Sequence, residues 1–125
     1  QISHEGQGYA WTPGIFTDGQ VESWKLVTDA VHNAGGRIFC QLWHVGAISH
    51  QVFQPEGGAP VSASVWTPEG EAFVGDRLSE GPTVPFPEAR ALDLDEIPRL
   101  LDDYRHAARC AARAATHAAS ARAPR

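Results

Sequence analysis

The sequence predicts an α/β chain, and three observations carry that expectation. A capped amphipathic helix is expected over about residues 17–34. A short β-forming apolar run at 38–43 follows it directly, and a second amphipathic helix starts near Asp93.

Residues 1–16 hold Gly6, Gly8, Pro13 and Gly14 among the aromatics Tyr9, Trp11 and Phe16, with neither helical nor alternating period, which predicts an ordered loop. Thr17 and Gln20 then stand at capping-box spacing, where a hydroxyl and a side-chain amide each satisfy a free backbone N–H. Val21, Trp24, Val27 and Val31 form the apolar stripe that follows. Asn33-Ala34-Gly35-Gly36 supplies the left-handed C-terminal turn, so the helix ends near Ala34.

The run Ile38-Phe39-Cys40-Gln41-Leu42-Trp43 is rich in β-formers and bounded by glycines, as expected of a strand covered on both faces. From Gly46 to about Arg90 the composition shifts to Gly, Pro, Ser and Glu, with short strands expected only at Val61 to Val65 and Val84 to Phe86. A stretch of roughly 45 residues without strong periodicity is a functional excursion more often than a simple link. Asp93 and Glu96 repeat the capping-box spacing. The expected apolar face of the second helix runs through Ile97, Leu100, Leu101, Tyr104, Ala108 and Ala111, with Pro98 tolerated only in the first turn.

Composition limits the partners. With 125 residues, 15 acidic against 10 basic side chains and a formal net charge of -5, the chain has the size of one domain and no basic stripe for nucleic acid. No apolar run reaches the roughly 20 residues of a membrane-spanning helix, and the N-terminal residues lack signal-peptide order, so a cytoplasmic location is expected. Cys40 and Cys110 form no CxxC pair and sit in apolar-periodic stretches, which predicts two reduced, buried thiols. The absence of methionine and the start at Gln1 predict an internal fragment.

Chemistry concentrates at Gln41 to His50, the C-terminal end of the expected strand, where parallel α/β folds bind ligands. An amide such as Gln41 on an apolar strand offers donors and an acceptor suited to a heterocycle's imide edge, although a satisfied core glutamine has the same signature. His44 and His50 are candidate metal ligands, but no Cys or carboxylate cluster accompanies them at ligand spacing. Trp43, Tyr9 and Trp11 fit core or loop packing as well as a substrate platform. Gly6 and Gly8 only weakly echo a phosphate loop.

A collinear series of motifs goes further. Ile2-Ser3, Gly6-Gln7-Gly8-Tyr9 and Thr12-Pro13-Gly14-Ile15 are followed by Gly35-Gly36-Arg37-Ile38-Phe39 and Gln41-Leu42-Trp43-His44-Val45-Gly46. Then come Ile48-Ser49-His50, Gln54-Pro55, Ala59-Pro60-Val61-Ser62-Ala63-Ser64 and the stretch from Pro87 to Ile97. Together these resemble the bacterial, N-ethylmaleimide reductase-like branch of the Old Yellow Enzyme family of flavin-dependent alkene reductases, over about residues 1–114.

The resemblance implies a partial (β/α)8 TIM barrel: an incomplete α/β fragment with a long excursion after its one barrel strand. Residues 1–114 would form the partial FMN-dependent oxidoreductase segment, and 115–125 a divergent, disordered tail. It further implies FMN as cofactor, NAD(P)H as reductant and a small activated alkene as substrate. Gln41 would hold the flavin's pyrimidine edge, with Trp43 and Tyr9 lining the substrate pocket. The family's substrate-binding His pair and proton-donating Tyr lie beyond the matching region, so no catalytic residue is expected here. Ala47 stands where the family usually has Arg. Beside this reading stand a non-enzymatic remnant or interaction module, and a metal protein resting on His44 and His50. A lone parallel strand with unpaired edges also predicts marginal stability or aggregation in isolation.

Overall fold

The computed structural model describes residues 1–75 and 81–115. The first helix, α1, spans Asp18–Asn33. Short strands β1 (Val61–Ser62), β2 (Glu71–Phe73), β3 (Thr83–Pro85) and β4 (Arg90–Ala91) occupy the excursion, and α2 spans Ile97–Ala115.

The expected capping box closes α1: Gln20 N–H donates to Thr17 Oγ1 at 3.2 Å, and Thr17 N–H donates to Gln20 Oε1 at 3.1 Å. Gly35, at φ 78, turns the chain out of the helix while its N–H caps the His32 carbonyl at 2.8 Å. At α2 the Glu96 carboxylate accepts the Asp93 N–H at 2.9 Å, and Pro98 is the second helical residue, where no intrahelical N–H is lost.

The two helices pack on one core of Ile2, Ile15, Val21, Ala107, Cys110 and Ala114, joined by half-buried Trp24, Leu42, Leu100, Tyr104 and Ala111. Both apolar stripes depart from expectation. Ile97, Leu101 and Ala108 of α2 are exposed, because the contact turns on the small residues Ala107, Cys110 and Ala114, which let the α1 backbone come close. On α1, Val27 is exposed and Thr28 is buried in its place. The Thr28 hydroxyl donates to the Ala114 carbonyl at 2.6 Å, tying α1 to the last described turn of α2.

The excursion carries more pairing than expected. β1 and β4 run parallel with Val61 opposite Arg90, and β2 and β3 run antiparallel with Ala72 opposite Val84. Strands were expected near Val61 and Val84, whereas Glu71–Phe73 and Arg90–Ala91 lack a legible alternation because each is only two or three residues long.

The largest correction is at 38–43, where no strand forms among the described residues. The backbone bonds come only at the end of the run, from Ile2 N–H to the Trp43 carbonyl (3.1 Å) and from Val45 N–H to the Gly6 carbonyl (3.2 Å). Nor is the run covered on both faces. Leu42 packs on the core and Ile38 is half-buried, but Phe39 is 91% exposed and Gln41 and Cys40 are also exposed. A strand is a property of its neighbours, and no parallel partner lies beside this run among the described residues. Cys110 is buried as expected and Cys40 is not. No helix among the described residues is long and apolar enough to cross a membrane. The tail expected at 115–125 lies, from residue 116 on, outside the described residues.

Candidate functional site

Gln41 and Trp43 open onto one hollow of about 290 Å³ between the N-terminal loop, the 38–43 run and both helices, with Ile15, Trp24, Thr28 and Ala111 on its apolar walls. The Gln41 amide makes no hydrogen bond among the described residues, so its donors and acceptor are all free. The satisfied core glutamine that the sequence left open is therefore not what forms.

Tyr9 does not line that hollow. It stacks on Trp43 from the loop side, with ring centroids 5.8 Å apart and planes 24° from parallel. Two bonds to its carbonyl hold the loop at this point, from Gln7 Nε2 at 3.1 Å and from Thr12 Oγ1 at 2.9 Å. Tyr9 and Trp43 remain 43% and 36% exposed, a pair half open to solvent.

The glycines of this loop are needed for packing. A Cβ on Gly8 would lie 2.3 Å from the Ile48 carbonyl oxygen, and one on Gly6 would lie 3.3 Å from that of Trp43, so the loop lies flat against the chain after residue 43. The weak phosphate-loop signal thus has a steric origin.

A buried polar knot that the sequence reading missed locks the same contact. Ser49 Oγ donates to the Gln7 carbonyl at 2.6 Å, and Gln54 Nε2 donates to the Glu5 carbonyl (3.2 Å), the Gln7 carbonyl (3.1 Å) and Ser49 Oγ (2.8 Å). Both side chains are buried. Their only signal was a serine and a glutamine inside matching motifs, with no periodicity to mark them as internal.

His44 and His50 share one local habit, each ring accepting a backbone N–H two residues on at Nδ1: Gly46 at 3.1 Å and Val52 at 3.3 Å. No three His, Cys, Asp or Glu side chains gather as a metal site among the described residues. His44 instead faces Glu5, Nε2 to Oε2 at 3.7 Å, and Glu5 is held by Arg99 of α2 at 2.9 Å. Burial pushes the His44 imidazole below its ordinary pKa, outweighing the pull of Glu5 and Asp103, so the ring is neutral at pH 7. Ala47, in the position where arginine was expected, is buried under this turn.

A helix, a β-forming run without a ladder among the described residues and a second helix make an α/β segment, with an unbonded amide and an aromatic pair at the end of the run. The chain belongs to the NADH:flavin oxidoreductase / NADH oxidase family, whose model matches residues 1–118. It is 44% identical over 110 residues to 12-oxophytodienoate reductase 1 of Oryza sativa subsp. japonica, covering 86% of this chain and 26% of that protein. It is 42% identical over 109 residues to 12-oxophytodienoate reductase 2 of Arabidopsis thaliana, covering 86% and 28%.

Among solved structures it superposes on morphinone reductase in complex with tetrahydroNAD with a TM-score of 0.83 at 49% identity, covering 90% of this chain and 31% of that one. For the old yellow enzyme homologue from Zymomonas mobilis the TM-score is 0.82 at 47% identity, covering 91% and 30%. The chain spans about a quarter of the length of the curated relatives it matches, 26% and 28% for the two above.

Proposed function

We propose that the chain forms part of a (β/α)8 barrel of an FMN-dependent oxidoreductase that uses NAD(P)H to reduce activated alkenes such as α,β-unsaturated carbonyls. One observation carries this reading: the unpartnered Gln41 amide shares an apolar hollow with Trp43, while Tyr9 backs Trp43. A free amide presents the acceptor and donor that an imide edge pairs with, and the apolar walls beside it suit the flat face of a ring. The residues present fit the pyrimidine edge of a flavin, whereas a phosphate-binding loop is not found among the described residues.

When bound, FMN supplies hydride to the β-carbon of the alkene. In this reading Gln41 fixes the orientation of the ring, and Trp43 with Tyr9 narrows the slot above it and excludes water. By family resemblance, the groups that hold the alkene's carbonyl and give the proton lie beyond the matching region of about residues 1–114. A second reading, an interaction module, is favoured for the isolated chain by one observation. Phe39 stands 91% exposed on a run with no ladder partner among the described residues, which suits docking of further strands.

The test is flavin retention. In a full-length reductase carrying this segment, Gln41→Ala is expected to weaken FMN binding while leaving the helix content intact. Unchanged flavin affinity would overturn the role of Gln41. The 125-residue chain purified alone is expected to carry less than stoichiometric flavin, since no phosphate-binding loop is found among its described residues.

A further inference from the structure

Among the described residues, His44 Nε2 is the only buried side-chain nitrogen or oxygen without a hydrogen-bond partner. A group of this kind is costly to bury, so its surroundings are informative. The ring is only 7% exposed, whereas Trp43, its neighbour in the chain, is 36% exposed and lines the hollow.

The tautomer follows from the partners. Gly46 N–H donates to Nδ1 at 3.1 Å, so that nitrogen carries no proton and the proton of the neutral ring sits on Nε2. Gly46 is at φ 64, the left-handed turn that swings the chain away after the run. Nε2–H points at Glu5 Oε2, 3.7 Å away and beyond hydrogen-bond reach, but in a pocket with little water to screen the attraction. Arg99 of α2 holds the same Oε2 at 2.9 Å, and Arg90 of β4 lies 3.9 Å from Oε1. Glu5 lies in the loop that carries Tyr9, four residues before it, so the His44 ring stands between the turn after Trp43 and that loop.

We infer that His44, as the neutral Nε2–H tautomer, is a positioning residue: one nitrogen fixes the Gly46 turn, the other faces Glu5, and together they set how Trp43 meets Tyr9. The inference rests on the proposed function only where it makes that ring pair a wall of the alkene pocket. Its structural content is read on this chain without flavin, so a failure here and a failure of the flavin reading are separate results.

The experiment labels the histidines of the 125-residue chain with nitrogen-15 and records long-range proton–nitrogen correlations together with Tyr9–Trp43 inter-ring cross-peaks. Expected for His44 at pH 7 are a bare Nδ1, a protonated Nε2 and clear ring-to-ring cross-peaks. His44→Ala is expected to lose those cross-peaks with the helical circular dichroism retained. His44→Asn can still accept from Gly46 and His44→Gln can still donate toward Glu5, so each should recover part of the ring contact and neither all of it. A proton on Nδ1 overturns the inference, as does an undiminished ring contact in His44→Ala. If His44→Ala unfolds, the two partial mimics decide: ring contact at the parent level in both overturns it.

Discussion

The Tyr9 and Trp43 rings stack with centroids 5.8 Å apart and planes 24° from parallel, joining two segments separated by 34 positions in sequence. The contact links the N-terminal loop to the end of the 38–43 run. It depends on backbone held elsewhere: on the Gly8 approach to Ile48, on the knot of Ser49 and Gln54, and on the His44 turn.

A double-mutant cycle measures that stack. Because both rings are partly exposed, their coupling is expected at the low end for aromatic pairs, about 0.5 kcal/mol beyond area burial. Tyr9→Ala, Trp43→Ala and the double variant, compared by urea unfolding, give the value. Strict additivity would show that the rings are only neighbours.

Thr28→Val keeps the volume and removes the hydroxyl that donates to the Ala114 carbonyl at 2.6 Å. Losing that bond between α1 and α2 is expected to cost about 1 kcal/mol, and Thr28→Ser is expected to recover most of it. Denaturant midpoints check this. A Val variant as stable as the parent would mean that water reaches the carbonyl.

Acid should destabilise the fold in two windows of the same sign. The Arg90 guanidinium, with help from the Asp93 N–H, holds the Glu96 carboxyl down at about 2 against an ordinary 4.5. Between those values the unfolded chain binds more protons than the folded one, so this stabilisation is lost as pH falls. Burial lowers His44 from its ordinary 6.5 although Glu5 and Asp103 pull it up and Arg99 adds to the lowering. Stability therefore also declines as pH drops below 6.5, until the folded ring protonates. Urea midpoints across pH 7 to 2 should fall in both windows, and Glu96→Gln should remove the lower one. A midpoint that rises between pH 7 and 5 would contradict the account of His44.

Phe39, 91% exposed beside unpaired backbone, is expected to drive self-association of the isolated chain. Phe39→Ser should change unfolding free energy by no more than about 0.5 kcal/mol, as for other surface positions. It should shift sedimentation toward monomer. Association unchanged by the substitution would place the sticky surface elsewhere.

Local rules settled much of this molecule before any tertiary contact. Thr17 and Gln20 close α1 because a capping box satisfies backbone groups within four residues, and Gly35 ends it because a glycine takes the left-handed turn freely. The order of the motifs likewise carried the family, since a long collinear series survives where no single one is specific. Tertiary structure decided what depends on neighbours. Thr28 takes the interface position in place of Val27 and bonds the Ala114 carbonyl, and the stripe of α2 turned toward its small residues to admit α1. The 38–43 run has β-forming side chains but no ladder among the described residues, since a strand's hydrogen bonds depend on which segments lie beside it in space. The Gln41 amide is free for the same reason: whether a polar group is satisfied depends on what packs beside it in space, which spacing along the chain does not encode.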